Sequence, residues 1–326
     1  MTVQRTEREL IDATRPFTVE RRGWSWWSLI STLGLIALGI TIGFVAPWWP
    51  VRLVVAIVTG LLIVRGFILY HDFMHGALLR GSKVARAIFY AYGVLVLTPP
   101  NVWRQTHNYH HAHTAKLVGS HVGSYAMVTT EMWKQLSWQH RLLYRITRHP
   151  LTILFGYFTI FIYGMCAASF LRNRRKNWDS ALALVVHAAL VAVVWHVAGA
   201  AALMWGYVLP LAVACATGGY LFYAQHNFPE VHIQPRESWS FGRASLESSS
   251  YMKLGPVLNY LTGNIGYHHV HHLNQTIPFY RLPEVMNAIP ELQQAGVTSL
   301  GIRDIMACFR LKLWDAASQR MVGYPD

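Results

Sequence analysis

Charge is scarce in this chain, and acidic charge most of all. Of its 326 residues only 13% are charged, with 15 Asp and Glu against 28 Lys and Arg. Soluble domains carry about twice that charged fraction, so an ordinary water-facing surface is excluded. Cysteine is scarce as well. Cys166, Cys215 and Cys308 are far apart and two lie in apolar runs, which excludes a disulfide framework or a thiolate metal motif and leaves small core residues. No cleavable signal peptide is evident, because the polar residues 1–25 lead straight into an apolar run without a small-residue cleavage site. Low-complexity tracts are missing, and no basic patch is interleaved with aromatics, which argues against nucleic-acid binding.

What is there is largely apolar: 53% of the residues are hydrophobic. Apolar runs cover 26–48, 51–70, 152–171, 180–199 and 203–222. Each is close to the ~20 residues a helix needs to cross a bilayer core. Trp24, Trp26 and Trp27 stand at one end of the first run and Trp48 and Trp49 at the other, the spacing of two aromatic belts. Histidine-rich windows at 71–75, 107–111 and 268–272 have to meet on one side, so the crossings between them must be even in number. The apolar patch 84–99 is then not a span. Arg172, Arg174, Arg175 and Lys176 directly follow 152–171. Basic residues favour the cytoplasmic side, so that run reads as interfacial or re-entrant.

The expected fold is all-α integral membrane, with four transmembrane helices in two hairpins and a cytoplasmic cap carrying a histidine-rich metal site. In it only Arg52 lies outside, and Arg65 sits within a span near its inner end, from where it can snorkel. The net charge of +13 then orients the protein and attracts anionic head groups. The expected divisions are a cytoplasmic segment 1–25, a membrane domain 26–282 and a peripheral segment 283–326 with an amphipathic stretch at 302–314.

Eight of the seventeen histidines fall in three short windows. His71 and His75 form H-x-x-x-H; His107, His110 and His111, and likewise His268, His271 and His272, form H-x-x-H-H. On a helix, positions i, i+3 and i+4 share a face, so each window can aim its imidazoles at one point. Eight neutral imidazoles are too many for one ion and suit two. His71 and His75 emerge from the end of the second span, and His226 emerges from the fourth in the same way, a candidate ninth ligand. Carboxylates are absent beside the windows except Asp72, and neither Glu-x-x-His nor H-E-x-x-H occurs. His187 and His196 point to opposite sides of their run, which fits packing or a polar contact better than haem. A pair of all-nitrogen iron sites with open positions for dioxygen fits best.

The chain resembles the membrane fatty-acid desaturases, of the bacterial acyl-lipid Δ12 (omega-6) type, from about His71 to Tyr280. The resemblance is carried by H-D-x-x-H-G at 71–76, L-T-P-P-x-x-W-R at 97–104, H-N-Y-H-H-A-H at 107–113, F-Y-A-Q-H-N-F at 222–228, S-S-Y-x-x-L-x-P at 249–256 and N-I-G-Y-H-H-V-H-H-L at 264–273. It implies that the eight window histidines bind two irons and that His226 matches the family's additional histidine. It also implies a four-span fold with a cytoplasmic site, dioxygen as co-substrate and cis desaturation of an acyl chain. Phe73 and Met74 depart from the small Cys-Gly pair of the first box, so regiochemistry is not carried over. Leu117–Tyr125 lacks the acidic residues expected after the second box.

Each ligand ring needs a partner for its other N–H. Asp72, Asn108, Asn227 and Asn264 are the candidates, each also readable as a loop or cap residue. His113 stands between such support and structure, His121 reads as surface, and His269 breaks the ligand spacing. His140, His149 and His232 read as ordinary residues. The ligand histidines must be neutral, so activity is expected to fall below about pH 6.5. An apolar channel must position the substrate, a membrane-lipid or carrier-linked acyl chain. Electrons are expected from a separate ferredoxin- or cytochrome-type donor, whose acidic surface could dock on the basic inner face. Two other readings stand beside desaturation. One is a di-iron hydroxylase or ketolase of a lipid, alkane or carotenoid. The other is a non-enzymatic metal-binding or transport protein, against which the placement of the windows at one face counts.

Overall fold

The computed structural model describes residues 5–117, 122–235 and 237–325, and the chain is mostly helical. Two long helices, α1 (Arg22–Val45) and α2 (Trp49–His75), form a hairpin across three residues. Pro50 sits in the first turn of α2, where its missing N–H costs nothing. At the other end Gly76 adopts φ +75°, and its N–H and that of Ala77 close on the carbonyls of Phe73 and Asp72. Such a left-handed cap favours glycine. The helix therefore runs unbroken through the first histidine window. Two shorter helices follow, α3 (Lys83–Leu95) and α4 (Pro100–His113). With 13 residues, α3 is about 20 Å long, too short to cross a bilayer core, as expected of the 84–99 patch.

The helices α5 (Trp178–Leu203) and α6 (Leu209–His226) are joined through a π-helical stretch, Met204–Val208. Gly199 breaks α5, with φ +81° and ψ 173°. The chain doubles back there, because His187 Nδ1 lies 2.8 Å from the Tyr207 hydroxyl. A straight helix would hold those residues about 30 Å apart. His187 Nε2 meets the Tyr157 hydroxyl at 2.6 Å, which gives this buried histidine two phenolic partners. His196 is exposed. Tyr157 belongs to a π-helix, Tyr157–Ala168, inside the 152–171 run, and sequence periodicity carries no sign of it. By length and composition, Arg22–Val45, Trp49–His75 and the bent Trp178–His226 can cross a membrane.

Helix α2 packs between α1 and α6. Its contact with α6 depends on Gly60, where a Cβ would lie 2.7 Å from the Pro210 carbonyl oxygen and from Val213 Cβ. Gly34 of α1 has open space around it. Gly60→Leu is therefore expected to force the helices apart and cost more than the 1–3 kcal/mol usual for overpacking. Gly34→Ala should be neutral or slightly stabilising. Thermal denaturation of the two purified variants checks this, and equal melting temperatures would contradict it.

Two expectations need correction. The chain is not purely α-helical: Tyr251–Lys253 pairs in parallel with Val297–Ser299, and Leu313–Asp315 pairs antiparallel with Arg320–Val322. Arg65 does not snorkel. It is 5% exposed, bonds the Thr32 hydroxyl of α1 and the Tyr260 carbonyl, and lies over the Tyr260 ring, which ties α1 and α2 to the segment that carries Tyr260. Segment 283–326 packs onto the body of the chain: Val285 and Leu292 are buried in one cluster with Val270, Leu273 and Leu10. Cys308 and Trp314 enter the main core. All three cysteines are free and buried, as expected of core residues.

Candidate metal centre

Four helices deliver nine histidines to one place. The last turn of α2 brings His71 and His75, the last residue of α6 is His226, and α4 brings His107, His110 and His111. The short helix α7 (His268–Leu273) brings His268, His271 and His272. Their ring nitrogens form two sets, each within 4.8 Å: His71, His75, His107, His111 and His271 in one, His110, His226, His268 and His272 in the other. The H-x-x-H-H windows therefore do not each aim at one point. At 100° per residue, His107 and His111 lie 40° apart while His110 lies about 60° to the other side, so α4 gives two nitrogens to the first set and one to the second. Helix α7 divides the opposite way.

Within the first set, His111 Nε2 lies 3.0 Å from His107 Nε2 and 3.1 Å from His271 Nε2. Within the second, His226 Nε2 lies 3.1 Å from His110 Nε2 and 2.9 Å from His268 Nε2, which is 3.1 Å from His272 Nε2. Nitrogens held about 2.1 Å from a common ion at right angles stand about 3.0 Å apart. His75 Nε2 is buried with no hydrogen-bond partner among the described residues, a costly state for a polar atom unless its lone pair is otherwise used. Both sets fit a metal ion.

The outer partners differ from those the sequence offered. Asp72, 2% exposed, does accept: its Oδ1 is 3.0 Å from His71 Nδ1, and its Oδ2 takes the Phe279 N–H at 2.7 Å. Asn264 acts one step further out, donating to the Phe279 carbonyl at 3.1 Å. Asn108 is exposed on the outer side of α4 and meets none of the rings. Asn227 is buried but turned away from the rings: it accepts from Arg148 and donates to the carbonyls of Cys308 and Leu311 in the C-terminal segment. Two partners were missed. The Ser248 carbonyl lies 2.9 Å from His226 Nδ1, and the Thr114 hydroxyl lies 3.4 Å from His272 Nδ1. A backbone carbonyl leaves no sequence signal; Thr114, three residues past His111, could have been considered. Trp103 stacks on His107 with centroids 4.4 Å apart.

Among the described residues, the other histidines stay outside both sets. His269 is buried against the Leu292 carbonyl at 3.0 Å, and His113 stacks on Tyr109 and bonds its carbonyl. His121 lies outside the described residues.

Burial first, then the charge that neighbouring rings would carry, holds His107, His110, His111, His268, His271 and His272 neutral well below the usual histidine range. Burial also takes His269 down to about 4. Between such a folded value and the unfolded value near 6.5, the unfolded chain binds more protons, so stability rises with pH. It is complete above about pH 6.5 and is lost as pH falls, by up to about 1.4 kcal/mol per pH unit for each ring. Melting temperatures of the metal-free protein should be flat from pH 8 to 7 and drop steadily below 6.5. A profile level down to pH 5 would refute this.

A family model described as fatty acid desaturase matches residues 46–300. A fatty acid desaturase of Bacillus subtilis is 30% identical over 284 residues, covering 83% of this chain and 77% of the relative. An sn-1 oleoyl-lipid 12-desaturase of Synechocystis sp. is 24% identical over 262 residues, covering 79% of this chain and 73% of the relative. With its apolar helices and converging histidines, the chain belongs to the fatty acid desaturase family and is a membrane-embedded fatty acyl desaturase.

Proposed function

We propose that the chain introduces a cis double bond into a lipid- or carrier-linked acyl chain at two irons, with dioxygen and an external electron donor. The observation that carries this reading is the pair of all-imidazole sets, five and four nitrogens, at the ends of apolar helices. Such donors suit a borderline transition metal and not calcium or magnesium. An iron pair, when bound, supplies the redox chemistry that activates dioxygen towards an unactivated methylene. His71, His75, His107, His111 and His271 would hold one ion, and His110, His226, His268 and His272 the other.

The chain's own residues do the rest. Burial keeps the rings neutral and able to ligate, and Asp72, Ser248 and Thr114 fix the orientation of His71, His226 and His272. Trp103, Phe67 and Tyr70 pack beside His71 and His107 and exclude water from that side. In our reading α1, α2, α5 and α6 are four spans in two hairpins, and both histidine-bearing ends face the cytoplasm. In support, α1 carries exposed Trp24 and Trp27 at one end, and Trp48 stands exposed just beyond the other, as for a helix with two interfacial belts. The name of the Synechocystis relative supports a lipid-linked substrate.

Lipid mass spectrometry of a host expressing the chain, beside a His271→Ala, His272→Ala variant that strips one nitrogen from each set, tests the function. New acyl species lighter by two hydrogens, absent from the variant, are expected. Species heavier by one oxygen would replace desaturation with hydroxylation.

A further inference from the structure

The balance of the proposed reaction leaves a demand that the chain cannot meet alone. One acyl CH2–CH2, one dioxygen, two electrons and two protons give one CH=CH and two waters, so two electrons must cross from outside to the buried histidines. A continuous line of contacts runs from the surface to the second histidine set. Trp239 is partly exposed, and its indole Nε1–H donates to the Thr114 carbonyl at 2.9 Å. The Thr114 hydroxyl donates to the His110 carbonyl at 2.7 Å and lies 3.4 Å from His272 Nδ1. Thr114 is thus one residue away from both solvent and the set, and it is 4% exposed. The indole is capped by Lys116, whose Nζ sits 3.9 Å from the ring centroid and makes no ion pair among the described residues.

We propose that Trp239, flanked by Lys116, is the docking point of an acidic one-electron carrier protein of the ferredoxin type, and that electrons pass through Trp239 and Thr114 to the His272 side of the second set. This rests on the di-iron reading. An aromatic ring at the surface offers contact area without a rotamer-rich side chain to order. The adjacent cation orients a carrier of opposite charge and raises its on-rate. Each transfer oxidises the carrier by one electron and reduces the centre by one, so two encounters serve each turnover.

The test follows reduction of the iron-loaded full-length protein by absorbance in a stopped flow, without turnover, using either a reduced acidic [2Fe–2S] ferredoxin or dithionite. Trp239→Leu should slow reduction by ferredoxin at least tenfold and leave reduction by dithionite within twofold. Trp239→Tyr should recover most of the ferredoxin rate. Lys116→Glu should raise the ferredoxin concentration giving half the limiting rate and leave the limiting rate unchanged. Equal slowing with both reductants would make Trp239 a packing residue and overturn the proposal, as would an unchanged ferredoxin rate in Trp239→Leu. Wild-type protein reduced by dithionite but not by ferredoxin would overturn the choice of carrier. Wild-type protein with no reducible metal would overturn the di-iron reading, and this route with it.

Discussion

If the nine histidines hold two irons, His226→Ala is expected to bind one where the wild type binds two, and to lose desaturation by more than about 100-fold. Removing a partner of a ligand already costs 10–100-fold, and His226 is itself central to its set. Its Nε2 lies between those of His110 and His268, and its Nδ1 is anchored on the Ser248 carbonyl. Without it three nitrogens remain, while the five of the other set are untouched. His113→Ala is the matched control: that ring meets Tyr109 and neither set, so iron should stay at two per chain. Elemental analysis of both purified variants decides. Two irons in His226→Ala would remove this residue from the ligands and leave eight.

Asp72→Asn should be nearly as damaging, although it changes one oxygen to nitrogen. The carboxylate accepts on both oxygens, from His71 Nδ1–H and from the Phe279 N–H. An amide has one acceptor. If its oxygen stays with Phe279, its NH2 faces His71 Nδ1 and favours the tautomer protonated on Nε2, which has no lone pair to give a metal. We expect iron affinity at the five-nitrogen set to fall 10–100-fold, with the four-nitrogen set unaffected. Titration with a competing chelator reads the two sites separately. Equal affinity in variant and wild type would reduce Asp72 to a cap for the 279 turn.

The converging histidines were more legible in the sequence than their surroundings. Histidine spacing put eight of them in view and the end of the fourth apolar run the ninth, and hydropathy placed α1, α2 and both arms of the 178–226 hairpin within a few residues. How the rings divide was not visible, because one helical face can serve two neighbouring points and the choice depends on where α4 and α7 lie. Asn108 and Asn227 were drawn from adjacency in sequence. Adjacent residues on a helix diverge by 100°, which turned Asn108 outwards. The Ser248 carbonyl could not be found by residue type at all. The π-helix Tyr157–Ala168 was equally hidden, since an apolar run has the same composition whichever helix it forms.

The division of α4 and α7 between both sets has a consequence for biosynthesis. Neither set is complete until the ribosome has passed His272, so the clock for assembly starts late. At 5–20 residues per second, the roughly 160 residues between His111 and His272 take on the order of 10–30 s. During that interval the nascent chain presents five of the nine histidines, and six once His226 is made: four of the five nitrogens of the first set, but at most two of the four of the second. Loading of the second position therefore follows synthesis of α7. A chain truncated before α7 would keep four nitrogens for one ion and only two for the other, so it would lose the second position first.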